Sequence, residues 1–298
     1  MKNLTMQSTN KIDITGKLID VAYGEGTLSD GRHYERATVT LRVKQTYGGK
    51  EEISEIPITM FGTTHTTRGT PNPAYQNIQN IKLKRSAQEV GFDNADTLRF
   101  SSGSIQENMF ISKTTGQLIN NWQINSSFMN STTGSDIAAF TIDIYIMDMH
   151  PEEDRDGDPT GRLIIKGGIV QYGEKLDVIE FIVENPEAVE YIERNWEIND
   201  TVTVRGRIRM TAVEEKPSGN ETSSWGEDIP QSTSTRYIKE LIITKGDDEG
   251  KEEEFAYDPT EIKKGFNARK ARMEQLQLDA KNGSTAKKAA ASNKYSWE

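Results

Sequence analysis

Residues 201–210 read TVTVRGRIRM, with arginine at alternate positions: Arg205, Arg207 and Arg209. Same-face residues on a strand stand about 6–7 Å apart, so this spacing aims three guanidiniums at a row of anions, and a run of phosphates fits it. A similar set occurs in ERATVTLRVK (residues 35–44), where Arg36, Arg42 and Lys44 share one parity, and Arg99 follows in DTLRF. Phosphates of a single nucleic-acid strand come with unstacked bases, whose faces call for aromatic side chains. Each stacked base is worth about 1–3 kcal/mol. Tyr34 and Tyr47 sit in or beside loops, Phe61 ends an apolar run, and Trp225 lies in a polar insert. The competing reading is an ordinary solvated sheet face, or arginines paired with neighbouring glutamates. Arginines that share a groove with aromatics favour nucleic acid; arginines paired with acids weaken it.

Catalytic constellations are not apparent. The chain has no cysteine, which excludes disulfides and thiolate metal sites. His33, His65 and His150 are isolated and give no metal-ligand spacing. DRDGDPTG (residues 154–161) starts like a calcium loop, but Pro159 stands where the turn needs Gly and Ile165 where the closing ligand must be Glu. There is no phosphate-loop motif and no nucleophile elbow. The expectation is a protein that is not an enzyme and uses neither cofactor nor metal.

Charge is spread unevenly. The net of −10 divides into +2 for residues 1–134, −11 for residues 135–246 and −1 for residues 247–298. Acidity of the whole therefore does not exclude a polyanionic partner, because groove potential is set by nearby charges and screened beyond about 8 Å. No apolar run is long enough to span a membrane. The opening MKNLTMQSTNK lacks the apolar core of a signal peptide. A cytoplasmic location is expected, in the host if the chain is phage-encoded, with no membrane partner.

The elements that must position these residues are mostly strands. In residues 35–44, Ala37, Val39, Leu41 and Val43 alternate with the polar set, the signature of a half-buried strand. KIDITGKLIDVAY precedes it and EEISEIPITMF follows. Residues 71–91 change to a helical period. Strands resume at DTLRF, NMFIS and residues 118–129. NSTTGSD (residues 130–136) reads as a linker. The order then repeats: FTIDIYIMD, RLIIKGGIVQY and KLDVIEFIVE, then a helix in NPEAVEYIERNW capped by Asn185, then TVTVRGRIRM and RYIKELIIT. A helix start at Asp258–Glu261 leads an apolar stripe to about Leu278, and a low-complexity tail follows.

Strand, strand, strand, helix, strand, strand is the layout of the oligonucleotide-binding (OB) barrel. The fold class expected is mainly β: two tandem OB-fold five-stranded barrels, each with a helix between strands three and four, plus a C-terminal helix and disordered tail. The domains would be a flexible N-terminus (1–9), a first barrel (10–129), a linker (130–136), a second barrel (137–246), and an acidic segment with short helix and tail (247–298).

On KIDITGKLIDVAY, ATVTLRV, ITMFG and TLRFSSGSIQ in the first half, and ENPEAVEYIERNW followed by NDTVTVRGRIRM in the second, the chain resembles the single-stranded DNA-binding proteins of bacteria and their phages, in tandem form. The resemblance covers most of residues 10–245. It implies a protein that coats exposed single-stranded DNA during replication or recombination, without strong sequence preference, and it matches Phe61 to a base-stacking aromatic. It departs from the family where a third-strand tryptophan is usual, since EEISEIPITMF has none. The usual acidic tail with a Pro-Phe tip is replaced by YSWE. Replication or recombination proteins are the partners expected for the C-terminal segment, and two barrels per chain would halve the subunits a multi-barrel oligomer needs. The alternatives are a scaffolding protein built on OB-type barrels and a single-stranded RNA-binding protein.

Overall fold

A computed structural model describes residues 1–112, 114–154, 156–215 and 234–292. Two barrels follow one another. The first is made by β1 (Asn10–Thr27), β2 (His33–Tyr47), β3 (Lys50–Thr63), α1 (Pro73–Ile81), α2 (Ala87–Val90), β4 (Thr97–Phe100), β5 (Gly103–Ile111) and β6 (Leu118–Ser126). A two-residue strand, β7 (Asn130–Ser131), leads to the second barrel. That barrel comprises β8 (Ile137–Glu153), β9 (Pro159–Gln171), β10 (Lys175–Val183), α3 (Pro186–Asn195), β11 (Thr201–Glu215) and β12 (Ser234–Gly246), and α4 (Pro259–Ser292) follows it.

The second barrel closes in full. β8, β9 and β10 pair antiparallel in turn, β10 meets β12 in parallel at Ile182 and Ile242, and β11 pairs both β12 and β8. The first repeats this circuit with one difference. Its fourth strand is split at Ser101 and Ser102, so that β4 pairs with β1 while β5 pairs with β6, which runs parallel to β3 at Ile58 and Ile124. The alternation read in the sequence sets the faces. Ala37, Val39, Leu41 and Val43 are buried in one barrel, and Val202, Val204 and Ile208 in the other.

Helix α3 starts as its sequence dictates. Asn185 accepts hydrogen bonds from the backbone N–H groups of Glu187 and Ala188, and Pro186 takes the first turn. Gly206 is required by close approach: a Cβ there would lie 2.0 Å from the Ile242 carbonyl oxygen, at a β-bulge between Arg205 and Gly206.

The barrels are not beads on a string. Residues 10–15 of β1 pair antiparallel with residues 137–142 of β8, giving one continuous sheet and one apolar core through both barrels. The segment read as a linker is itself held, since β7 pairs with β4 and the Asp136 carboxylate accepts from the Lys44 N–H at 2.7 Å. Residues 1–9, read as flexible, are likewise tied: Leu4 packs with Tyr257, Ile262, Tyr145, Val170 and Leu176 in a second apolar cluster, and the Lys2 N–H donates to the Ala256 carbonyl at 2.7 Å. Helix α4 is longer than the stripe ending at Leu278 suggests, and runs to Ser292 over part of the low-complexity tail. Alanine and lysine dominate TAKKAAAS, and both favour helix without needing a packed face.

Candidate nucleic-acid interface

In OB barrels the face of strands two and three receives oligonucleotides. In the first barrel that face belongs to β2 and β3. Arg36 stands opposite Phe61, Thr38 opposite Thr59, and Thr40 opposite Pro57. Tyr34 lies beside Phe61, their ring centroids 5.2 Å apart and their planes inclined by 35°. Phe61 is 46% exposed, which leaves its ring open to a ligand. Tyr34 can lie across the neighbouring strand because its partner there is Gly26. A Cβ on Gly26 would stand 2.7 Å from the Tyr34 hydroxyl oxygen. Gly24 opens the same strand to Arg36. The Arg36 guanidinium is exposed and has no carboxylate partner among the described residues. Two aromatic rings and a free cation thus share one open shelf.

Behind the shelf the barrel mouth is already neutralised. The buried Glu35 carboxylate accepts from Lys82 Nζ at 2.7 Å, Gln79 Nε2 at 2.8 Å and Tyr75 Oη at 3.1 Å. Burial works against its charge, but these donors outweigh burial and hold its pKa below the ordinary value. Glu25, His33 and Glu35 bring three ligand atoms within 4.8 Å of one another. The Lys82 ammonium already provides the charge a metal would bring, so the group does not fit a cation site.

At its other end the shelf runs into a groove of about 680 Å³ between the barrels. Thr40, Ile53 and Pro57 form one wall; Met210, Tyr237 and Lys239, on the arms of β11 and β12, form the other. Tyr237 is 77% exposed and Ile53 44%. The arms are held there by the Met210 N–H on Ser54 Oγ at 3.1 Å and by Thr211 Oγ1 on the Ile53 carbonyl at 3.3 Å. Tyr237, Met210, Ile53 and Lys239 are not among the sequence candidates. The available signal was strand length, since fifteen residues of β11 exceed what crossing a small barrel requires and leave an arm free to pack elsewhere.

A model of the YorF family matches residues 8–279. The chain belongs to the YorF family. No match exists among curated proteins. Among solved structures, a deletion mutant of the single-stranded DNA-binding protein from Thermus aquaticus is similar at a TM-score of 0.51 and 12% identity, covering 85% of this chain and 98% of that one. The wild-type protein from the same organism is similar at 0.46 and 11%, covering 81% and 93%. At such identity the first of these speaks for the fold, that of OB-type barrels.

The YorF-family chain distributes the sequence candidates very unequally. Arg207 and Arg209 do not present themselves to a ligand. Arg207 is buried, donates to Glu52 at 2.6 Å and to Glu184 at 2.8 Å, and lies 4.2 Å over the Tyr47 ring. Arg209 donates from Nη2 to Glu184 at 2.5 Å and from Nε to Glu240 at 2.9 Å. Glu240 also pairs with Arg162 at 2.7 Å. Because Glu52 belongs to β3 and the others to the second barrel, this network is a seam between barrels. It takes up Tyr47 as well, which is covered by Arg207 and not open to a base. The parity read for β11 is correct, but the face it defines is roofed by the neighbouring barrel, which no pattern within β11 reveals.

The remaining cations divide in the same way. Arg99 holds Asp13 in a two-bond fork at 2.9 and 2.8 Å. Arg42 pairs with Glu55 at 2.5 Å and Lys44 with Glu51 at 2.7 Å. Arg205 is exposed and stands opposite Lys245, beside a shallow pocket of about 280 Å³ that also contains Asp247 and Asp248. Trp225 lies outside the described residues. Tyr34, Arg36 and Phe61 are the candidates that the fold brings together.

Proposed function

We propose that this chain binds single-stranded DNA along the outer β2–β3 face of its first barrel, from the Tyr34–Arg36–Phe61 shelf over Thr38 and Thr59 into the inter-barrel groove, without catalysis. The observation that carries this reading is the exposed Phe61 ring against the half-buried Tyr34 ring, beside a cation with no carboxylate among the described residues, on the face where OB barrels receive oligonucleotides. Stacking on two rings is tolerant of sequence, and a single paired-free cation gives phosphate contact without base readout. The likeness to single-stranded DNA-binding proteins supports the same substrate class. On this reading the chain protects exposed strands during replication or recombination in the cytoplasm, and α4 is the element available to partner proteins.

The test is titration of fluorescently labelled oligo-dT, with duplex and oligo-rU as competitors, at several salt concentrations. The reading requires oligo-dT to bind more tightly than duplex and to release as salt rises. It fails if oligo-dT does not bind at low salt, or if Tyr34→Ala with Phe61→Ala leaves affinity unchanged.

A further inference from the structure

Two grooves meet at one lysine. The inter-barrel groove described above has Lys239 in its wall. A second groove of about 670 Å³ lies on the β9–β10 face of the second barrel, walled by Trp122 from β6 and by Phe266 and Arg269 from α4, and Lys239 also lines it. The Lys239 ammonium sits 4.3 Å over the Trp122 ring and donates to the Trp122 carbonyl.

What distinguishes Lys239 is the lack of a counter-ion. The other cations lining these grooves are engaged. Arg42 has Glu55, Lys166 has Asp148 at 3.4 Å and Glu180 at 3.9 Å, and Arg269 forks onto Glu107. The acids that line them are committed too: Glu55 to Arg42, Glu152 and Glu240 to Arg162, with Glu240 also bound to Arg209, and Glu180 to Lys166. Among the described residues Lys239 has no carboxylate within ion-pair distance. A part-buried ammonium supported only by a ring face and one carbonyl lacks half of its electrostatic complement. A phosphodiester supplies that half. The route from the shelf through the first groove reaches this point.

We infer that Lys239 is a phosphate-binding residue at the crossing from the first groove to the second, and that single-stranded DNA continues past it onto the second barrel. This rests on the proposed DNA-binding function and extends it by a named contact. Proton linkage gives the contact a signature. Burial pushes the Lys239 amine down to about 8 in the free protein. A phosphate beside it favours the ammonium and raises that value, so binding takes up a proton near and above pH 8. Affinity is therefore full below about pH 8 and falls as pH rises beyond it. Stability of the free chain runs the other way. The unfolded lysine holds its proton to higher pH than the folded one, so this group makes folding more favourable as pH rises over the same interval.

The experiment is oligo-dT titration of the full chain and of Lys239→Gln, Lys239→Met and Lys239→Arg at pH 7.0 and 9.5, with thermal melts at each pH. At pH 7 the Gln and Met variants should bind roughly tenfold more weakly, the loss for a charged hydrogen bond. Their salt slope should be smaller by about 0.7, the share of one single-strand phosphate. Both should melt at or above the wild-type temperature, because no ion pair is broken. Lys239→Arg should keep binding and lose the decline between the two pH values. Calorimetry at pH 8 in two buffers of different ionisation enthalpy should show proton uptake by the wild type and not by Lys239→Arg. If wild type binds oligo-dT but all variants bind alike, or no proton is taken up, the assignment is wrong while the function stands. If wild type does not bind oligo-dT, the functional reading itself has failed.

Discussion

Two regions carry arginines beside aromatics, and they do opposite things. On the shelf, Arg36 stands free next to Phe61 and Tyr34. At the seam, Arg207 lies over Tyr47 between Glu52 and Glu184. The residue types are the same and the strand alternation is the same. The difference is what surrounds them: the seam is roofed by the other barrel and supplied with carboxylates, whereas the shelf meets solvent. A guanidinium on a ring is therefore ambiguous until its anion is known. If the fold supplies the anion, the pair is structural; if it does not, the ligand can.

The sharpest way to break this contrast is at the seam. Arg207→Ala leaves Glu52 and Glu184 with Arg209 as their shared counter-ion in a part-buried site and should destabilise the fold by about 3 kcal/mol, the low end for breaking a buried pair because Arg209 still holds both glutamates. Denaturant unfolding reads this, while oligo-dT affinity under native conditions should hardly change. A large loss of affinity without loss of stability would reverse the assignment. At the shelf the pattern should invert. Tyr34→Ala with Phe61→Ala should weaken oligo-dT binding by about 2–6 kcal/mol, from two stacked bases, and lower the unfolding midpoint far less than Arg207→Ala, because Phe61 is exposed and Tyr34 only half-buried.

Acid offers a smaller handle on the seam. Burial opposes ionisation of Glu240, but hydrogen bonds from Arg162 and Arg209 outweigh it and lower its pKa. A depressed carboxylate contributes stability that is present above its unfolded value, roughly 4.3, and is lost as pH falls through the folded value. Thermal melts from pH 7 to 3 should fall in that lower range, and Glu240→Gln should flatten the fall while lowering stability at pH 7. The smallest expected effect separates free from paired cations. Arg36→Ala should reduce the salt slope of oligo-dT binding by about 0.7, and Arg99→Ala, whose charge is already held by Asp13, should leave it unchanged.

How far the site could be read in advance depends on where its determinants lie. Arg36 is legible because it lies on the polar side of a local alternation, Tyr34 because it stands at the edge of a loop, and Phe61 because it ends an apolar run where the resembling family places a stacking aromatic. Arg42 and Lys44 share that alternation, yet Glu55 and Glu51 stand on the neighbouring strand, and their pairing requires the register. Lys239 and Tyr237 fall in a run whose apolar residues mark it only as a strand, and their function as groove walls depends on an arm that reaches the other barrel.

By itself the sequence determined the order of the main strands and helices, the buried faces of residues 35–44 and 201–210, and the cap of α3, because period-two burial and capping are satisfied within a few residues of chain. It also determined that no cysteine chemistry is available. Only the tertiary structure decided that β1 and β8 join the barrels into one sheet, that Arg207 and Arg209 close a seam, and that Arg36 beside the aromatic pair and Lys239 between the grooves have no carboxylate partner among the described residues. The physical reason is that a charge acquires its function from its counter-ion. Here the counter-ions of Arg207 and Arg209 lie up to 157 residues away along the chain for Glu52, brought near by a register and a barrel contact that no local pattern encodes.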